Sequence, residues 1–557
     1  MAETPVISDK ITDEDFGESL GINLRYKPTE GQKLVVGNIF EKFRTSRQER
    51  NMTFEYLDGR NLIDYIDDNV SRFVTNIDAR EDIEDWQARV FDPFTRNKVV
   101  AILGKVATAI PKPEFINRGD ADVERTTILS DFYDYSEQVD DGDELMFYAL
   151  LEAVVKGTCI GYEGYQEKER EVADIAKYDG ASKIRTKKGT NKTRKVVGML
   201  VPLEDFFPSS VGIRKITDMP YCFWRSIITD AEFRASFAGY EFAESVEPYN
   251  PILANEENRP FYLDYVSDDI AEGEVELIRY YNQDTDEFVI LANGVWLNPL
   301  DDDSVMPIPF AHKSLPFWKA IYEPFGADFF YGKSLPDKLK SMQDVINVLH
   351  NMMLDQSFLS IFPPILTSGF DDIEDDFLRP GRRIPVTDAN NYKELAISSP
   401  NSFHQFILTY TKRVLEETSV DAVSQGIAGA GDRVTATEIE RAANSVASIL
   451  GLFVQFVKWG VRDKARLRAK NILQFYSKPL YEAILGEGGA EDVNKAFNTF
   501  RLDDVVLSKG KRGTKIIDVY KSREALPTRV ALKTQARFSE LETGKKEERI
   551  AINAGYI

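Results

Sequence analysis

The sequence predicts an α+β chain in which helices and antiparallel strands occupy separate stretches. Three observations carry this. Helical periodicity fills Lys33 to Leu103 and returns after residue 334. Short strands alternate with turns between Val196 and Val305. One run near the last third keeps helical spacing for about 40 residues, ~60 Å of helix. At 557 residues the chain exceeds one ordinary core, and two to four structural units are expected.

In chain order, residues 1–30 are acidic and lack an apolar h-region, so they read as a flexible arm rather than a signal peptide. In "LIDYIDDNVSRFV", Leu62, Ile63, Ile66, Val70 and Phe73 share one helical face. "RNKVVAILGKVATAIPKPEF" continues the helical pattern until Pro111 and Pro113 stop it. "ELMFYALLEAVVKG" ends at Gly157, and the alternating "TCIGYEGYQ" follows as a strand. The segment Ser182–Lys195 carries seven Lys or Arg. It reads as a solvated hairpin tip turning at Gly189-Thr-Asn, or as an anion or nucleic-acid contact. "GEVELIRYYNQDTDEFVILANGVWLN" reads as antiparallel strands joined by "NQDTDE" and by Asn293-Gly294, a strong hairpin signal.

From Ser334 to about Phe362 one helix is expected. Ser334 caps it, Asp337 sits three residues on, and Pro336 falls in the first turn. Leu335, Leu339, Met342, Val345, Ile346, Leu349, Met352 and Met353 recur at helical spacing as its expected core face. Pro363-Pro364 ends it, and residues 363–400 read as strand and turn punctuated by Pro380-Gly381. A second helix runs from about Ser402 to Val420, and a glycine-rich break, "SQGIAGAGDRV", follows. Thr435 with Glu438 forms a capping box for the long helix, which ends near Tyr476 before Pro479. Residues 477–557 read as short helices and a strand pair around "DDVVLSKGKRGTKIIDVY". No internal repeat is present.

Composition narrows the function. A net charge of −22 forbids coating a polyanion by bulk attraction, so any DNA contact must be local. Cys159 and Cys222 are too few for a disulfide framework and read as buried thiols. His312, His350 and His404 do not pair at ligand spacing, and no metal site is expected. The acid runs Asp301–Asp303 and Asp371–Asp376 read as solvated turns, with a divalent cation as the alternative. Asn51, Asn69 and Asn191 match the glycosylation pattern by chance. The apolar run Val446–Val461 contains Gln455 and Lys458 and is shorter than the roughly 20 residues of a membrane span, so it reads as a buried helix in a large assembly.

"GADFFYGKS" raises nucleotide binding, because Gly-Lys-Ser ends a phosphate-binding loop. Gly326 and Gly332 enclose one residue too many, and Phe329, Phe330 and Tyr331 fill the space a phosphate needs. The glycine run Gly426–Gly431 lies between helices rather than after a strand. No catalytic residue, cofactor or metal is expected, and the chain does not read as an enzyme.

The order of these parts resembles the portal proteins of tailed bacteriophages, the head-to-tail connectors. "FYGKSLPDKLKSMQDVINVLHNMMLDQS" is similar to the helix that opens the family's stem, through Gly332, Ser334, Gln343, Ile346 and Asn347. "PPILTSG…LRPGRRIPV" resembles the opening of the clip, and "DRVTATEIERA" the start of the family's long helix, through Thr435, Ala436, Glu438 and Ile439. "LVPLEDFFPSSVGIRKITDMPYCFWRSIITDAEF" resembles a wing segment. The likeness covers roughly residues 85–480; the basic insert has no counterpart in it.

The resemblance implies a portal fold. Residues 1–30 would form an arm, 31–332 an α/β wing, 333–362 and 401–424 the two stem helices and 363–400 a β-rich clip. The segment 425–434 would be the channel loop, 435–476 the long wing-to-crown helix and 477–557 the crown. It implies a ring, usually twelvefold, at one capsid vertex of the virion, assembled in the host cytoplasm. Partners would be further copies of the chain, double-stranded DNA in the channel, the terminase large subunit, major capsid protein and scaffold, and head-tail adaptor or tail proteins, with no membrane. Channel-loop candidates are Gln425, Gly426, Ile427, Gly429, Gly431, Asp432 and Arg433. Clip candidates for DNA or adaptor contact are Arg379, Arg382 and Arg383. Arg382, Arg383 and Arg433 would touch phosphate, or pair with carboxylates of a neighbouring copy. The alternatives are another virion or scaffold component and, more remotely, a packaging ATPase or nuclease.

Overall fold

The protein is described from a computed structural model. It describes residues 29–76, 84–107, 112–115, 123–179, 183–237, 240, 242–249, 272–297, 305–368, 380–381, 383–386, 393–394, 405, 407–409, 411, 436–476, 478–486, 488–489, 492–493, 530–536 and 548–553. The architecture is mixed α+β.

The first helix, α1 (Glu30–Asn51), starts on a capping box in which Thr29 and Gln32 satisfy each other's backbone N–H. A short loop leads to α2 (Leu62–Val74), capped by Asn61. Residues 84–93 depart from the expected helix: 84–87 form a turn and 88–93 run on without helix until α3 (Phe94–Ala107) begins. A strand, β1 (Lys112–Phe115), and two helices, α4 (Val123–Val139) and α5 (Gly142–Lys156), follow. Gly157 ends α5 as expected, with φ of 85°. A Cβ there would stand 2.1 Å from the carbonyl oxygen of Gly332, so only glycine fits on both counts.

Two long strands come next, β2 (Thr158–Asp179) and β3 (Lys183–Val201). Their register pairs Asp179 with Lys183, so the turn between them falls on 180–182, outside the described residues. Gly189 is therefore not a turn residue. It sits inside β3 opposite Val172, and the basic segment belongs to a strand rather than a tip. The Thr, Val and Ile residues around it favour extended backbone and override the local turn signal.

A five-stranded antiparallel sheet is built from β4 (Phe206–Pro208), β5 (Tyr221–Thr229), β6 (Glu274–Asn282), β7 (Glu287–Ala292) and β8 (Val295–Leu297), in that spatial order. A helix, α6 (Asp230–Phe237), follows β5. Asn293 and Gly294 close the last hairpin with φ of 43° and 81°, as the dipeptide predicts. Both faces of this sheet are covered. Phe223, Tyr280, Val289 and Leu291 pack on Val36, Ile39 and Phe43 of α1, whereas Cys222, Leu277, Tyr281 and Ile290 enter the largest core. Two buried faces explain the near-continuous apolar runs of β6 and β7.

The strand β9 (Phe317–Ile321) pairs with β2 over Thr158–Tyr162, which makes a second sheet in the order β3-β2-β9. Two short strands, β10 (Glu323–Pro324) and β11 (Gly332–Lys333), lead into α7 (Leu335–Ile361). Beyond it, β12 (Ile365–Ser368) lies between β13 (Arg383–Val386), parallel to it, and β14 (Lys393–Glu394), antiparallel. Residues 405, 407–409 and 411 are helical. The long helix α8 (Ala436–Phe475) has nearly the expected bounds, and α9 (Lys478–Leu485) follows it. A C-terminal pair, β15 (Val530–Ala536) and β16 (Glu548–Asn553), extends β1 into a three-stranded sheet.

The helix α8 lies against β9 and closes a core with α3, α5 and α7, through Phe453, Val454, Val457 and Val461. A Cβ on Gly460 would stand 2.7 Å from the Lys319 carbonyl oxygen, which shows how close helix and strand approach. Among the described residues no helix is long and apolar enough to cross a membrane. Cys159 and Cys222 are both free and buried.

One charge cluster fixes α8 to the rest. Arg468 is fully buried and donates from Nε to Glu163 (2.7 Å), and from its two terminal nitrogens to Glu137 (2.5 Å) and Asp140 (2.6 Å). Lys464 adds 2.8 Å to Glu137, and Lys195 lies 3.5 Å from Asp140. Three carboxylates, from α4, the turn after it and β2, thus face three cations from α8 and β3. Trp318 and the Gly198 amide donate to Glu163 and Asp140. Burial pushes the Glu163 carboxyl up despite Arg468; at Glu137 burial pushes the same way, but Lys464 and Arg468 outweigh it and the pKa falls.

Removing one partner strands the others. The Arg468→Met variant is expected to lose about 3–5 kcal/mol in denaturant unfolding, because Glu163 keeps its burial without its cation. The variant's folded state then holds the Glu163 proton more tightly than the unfolded chain. Its stability is expected to recover as pH falls from 7 toward 5, more steeply than wild type.

Lys319 supplies a second test. Its Nζ donates to the carbonyls of Arg214 and Phe330, both at 2.6 Å, and lies 4.0 Å over the Phe330 ring. Burial, then the nearby Arg214 charge, lowers its pKa to about 7. The unfolded chain binds that proton up to its ordinary range, so stability should rise with pH between 7 and 9. Lys319→Met should remove that rise, at most about 1.4 kcal/mol per pH unit.

Candidate assembly site

The helix α7 carries the residues the sequence singled out, and its start decides the nucleotide question. Phe329, Phe330 and Tyr331 are buried, and Phe330 stacks on Phe206 with ring centroids 5.9 Å apart. Gly332 pairs with Pro324 and donates its amide to Thr158 Oγ1 at 2.7 Å. The Ser334 amide donates to the Tyr65 hydroxyl at 2.8 Å, and Ser334 Oγ accepts from the Asp337 amide at 3.0 Å. Asp337 in turn holds Arg60 at 2.7 Å. Donors that would cradle phosphate are thus committed inside the protein, and aromatic rings fill the cradle.

The buried face of α7 is not the expected apolar one. Leu335, Leu339 and Ile346 are buried as expected, but from Gln343 onward the inward row is Gln343, Asn347, Asn351 and Asp355. These four stand four residues apart and hold the segment 84–93 by its backbone. Asp355 Oδ1 accepts from the Ala88 amide (2.7 Å), and Asn351 Oδ1 from the Val90 amide (2.8 Å). Asn351 Nδ2 returns a bond to the Val90 carbonyl (2.9 Å). Asn347 Oδ1 accepts from Asp92 (3.1 Å), and Gln343 donates to the Asp92 carbonyl (2.8 Å). Gln343 Oε1 also accepts from the Thr95 amide and hydroxyl, and so caps the first turn of α3.

The geometry works because two periods nearly coincide. Four helical residues advance about 6.0 Å, and two extended residues about 6.6–6.8 Å. Each rung of one element therefore meets an inward amide of the other. Val90 and Asp92 turn both N–H and C=O toward α7 and Ala88 its N–H; the carboxamides supply donor and acceptor, and the Asp355 carboxylate accepts only.

A second flank of α7 is ionic. Lys340 reaches Asp68 (2.8 Å), and Arg72 reaches Asp344 (2.7 Å) and Asp68 (3.0 Å). Burial raises the Asp68 pKa, but Lys340, Arg72 and Arg60 outweigh it and the group falls below its ordinary range.

The third flank is apolar and exposed. Met342, Val345, Val348 and Met352 fall on a stripe away from the ladder, with Val345 43% and Met352 49% exposed. Phe358, Ile361 and Phe362 extend the exposed apolar surface at the far end, and on α8 Leu452 and Trp459 are exposed too. Met342, Val345 and Met352 are thus corrections to the expected core. Helical spacing marked them as a shared face, but a face has no label for what covers it.

Of the other sequence candidates, Arg383 opens β13 opposite Ile365. Ala436, Glu438 and Ile439 lie in the first turns of α8. Arg379, Arg382, Thr435 and the loop candidates Gln425, Gly426, Ile427, Gly429, Gly431, Asp432 and Arg433 lie outside the described residues. So do the arm 1–28, most of 401–435, both acid runs and the strand pair expected around 503–520. Among the described residues no group of three or more His, Cys, Asp or Glu is placed to hold a metal ion. Sequence reasoning missed Asn351, Asp355 and the segment 84–93. The signal was the unbroken Gln-x3-Asn-x3-Asn-x3-Asp spacing, which apolar counting passes over.

No protein-family model and no curated protein matches this chain.

The ladder is expected to fail one rung at a time. Asn351→Leu keeps the helix but leaves the Val90 amide and carbonyl unpaired, at a cost of about 1–3 kcal/mol. Hydrogen exchange should show faster exchange at 88–92 with little change in the five-stranded sheet.

Proposed function

We propose that the chain is a portal protein: a homo-oligomeric ring, a dodecamer by the family resemblance, at one vertex of a bacteriophage capsid. In this reading it conducts double-stranded DNA during packaging and ejection and catalyses nothing. It docks the terminase large subunit first and adaptor or tail proteins afterwards, contacts capsid protein and scaffold, and assembles in the host cytoplasm. Residues 31–332 serve as wing, α7 as the first stem helix, 363–400 as clip, and α8 carries the chain toward a crown.

The supporting observation is α7 itself. Its 27 residues span about 40 Å, anchored on one flank by the amide ladder and on another by ion pairs, while a third remains apolar and exposed. A rod held so firmly with a bare apolar stripe suits packing against neighbouring rods. Net charge agrees in sense: a ring of such acidic chains lets a polyanion slide without being trapped, and must be held by apolar or paired contacts.

Negative-stain imaging and native mass measurement test this directly. A closed ring with a central hole is expected; a chain that stays monomeric at high concentration overturns the reading. Val345→Glu with Met352→Glu should lower the ring population at least about tenfold, since each interface would bury an unpaired carboxylate. The monomer's melting temperature should hardly move, because both positions are exposed in the single chain.

A further inference from the structure

The ribbon β2–β3 carries charge unlike the rest of the chain. Residues 167–194 hold nine Lys or Arg against five Asp or Glu, a net of +4, which leaves −26 for the remainder. Past Tyr162, where the pairing with β9 ends, the two strands pair only with each other among the described residues.

Register sorts the charge onto one face. Along β3, residues 183, 185, 187, 189, 191, 193 and 195 alternate onto the same side: Lys, Arg, Lys, Gly, Asn, Thr, Lys. This row contains no carboxylate and no large apolar residue; apart from the glycine, every member is a side-chain donor. Its partners on that face include Lys168, Arg170 and Lys177, with Asp174 and Asp179 opposite Lys187 and Lys183. The other face carries Glu167, Glu169 and Glu171 against Lys188, Lys192 and Arg194, and so is neutral. The row is about 40 Å long at ~3.4 Å per residue.

We infer that this face of the ribbon is a binding site for double-stranded nucleic acid, engaged through the phosphodiester backbone. A donor-only row asks for an acceptor-only partner, and phosphate oxygens are that partner. A two-stranded ribbon is also an element the major groove admits, at about 12 Å wide. Repulsion from the acidic body does not forbid it. The Debye length is about 8–10 Å at physiological salt, so the end near Lys183 lies several screening lengths from the ribbon's base at Lys195. Beside Asp140, that base already shows the row's chemistry, a lysine seated on an anionic oxygen at 3.5 Å. The inference does not depend on the ring.

The test compares three full-length proteins by fluorescence anisotropy with a labelled 30-bp duplex across a salt series: wild type, Lys183→Gln/Arg185→Gln/Lys187→Gln, and the opposite-face control Lys188→Gln/Lys192→Gln/Arg194→Gln. Both variants lose three charges, so bulk attraction and any threading through a ring change alike. The first triple variant should bind at least about tenfold more weakly at ~0.1 M salt, with the log–log salt slope smaller by about 2–3, while the control stays near wild type. The inference is overturned if both variants weaken equally, or if wild type does not bind the duplex at low salt. It is also overturned if the first variant loses self-association in sedimentation while duplex affinity is unchanged, since the row would then face another copy of the chain. Matching thermal melts of all three exclude misfolding as the cause.

Discussion

A buried polar group must find a partner, and this requirement places α7 more firmly than any apolar contact does. The inward row of carboxamides could not leave water without donors and acceptors waiting for it. The segment 84–93 supplies them with main-chain atoms only. It follows that its stretch 88–92 must be extended, because helical backbone would spend those same groups internally. The position of α3 follows as well, since Gln343 caps its first turn. An apolar row could have slid or rotated; amide pairs at fixed spacing do not. The other flanks of α7 inherit this constraint, and its exposed stripe is presented at a fixed angle rather than on a loose rod.

The same logic holds at α8 with charge in place of amides. Arg468 gathers Glu137 of α4, Asp140 of the turn after it and Glu163 of β2, so these and α8 meet at one guanidinium. Such a cluster is weak as a source of stability but strong as a source of uniqueness in this arrangement, because no shifted packing would satisfy all six charges. Gly198 leaves room for these pairs: a Cβ there would stand 2.5 Å from a terminal nitrogen of Arg468 and 2.9 Å from a Glu163 carboxylate oxygen.

The sequence was legible wherever local chemistry alone decides. The Ser334 cap, the Gly157 stop, the Asn293-Gly294 hairpin and the bounds of α8 are all written in a few adjacent residues. It was illegible where the decision rests on a distant partner. Met342, Val345 and Met352 fit a core pattern but face outward, and Asn347 and Asn351 fit a surface pattern but face inward. What differs is the segment some 250 positions away that meets the amides, and no window of the helix mentions it. Gly189 is the converse case, a local turn signal overruled by the pairing of a long strand. The start of α7 was read correctly as a helix cap because bulky rings leave no room for an anion whatever the fold. The channel-loop and clip candidates rest on the order of segments and on family likeness, and of them only Arg383 lies among the described residues.

The ladder on α7 also sets its own length. Its two rulers differ by roughly 0.6–0.8 Å per mark, as on a vernier scale, and the error accumulates to ~2 Å over the three intervals from Gln343 to Asp355. Long side chains absorb this for a few steps and then cannot. The segment leaves the helix one step after Ala88, where Gln87 and Glu84 close a turn on each other. The last turns of α7, with Phe358 and Ile361, are therefore beyond the reach of the zipper by arithmetic, and the helix ends as a bare tip without any sequence signal having to say so.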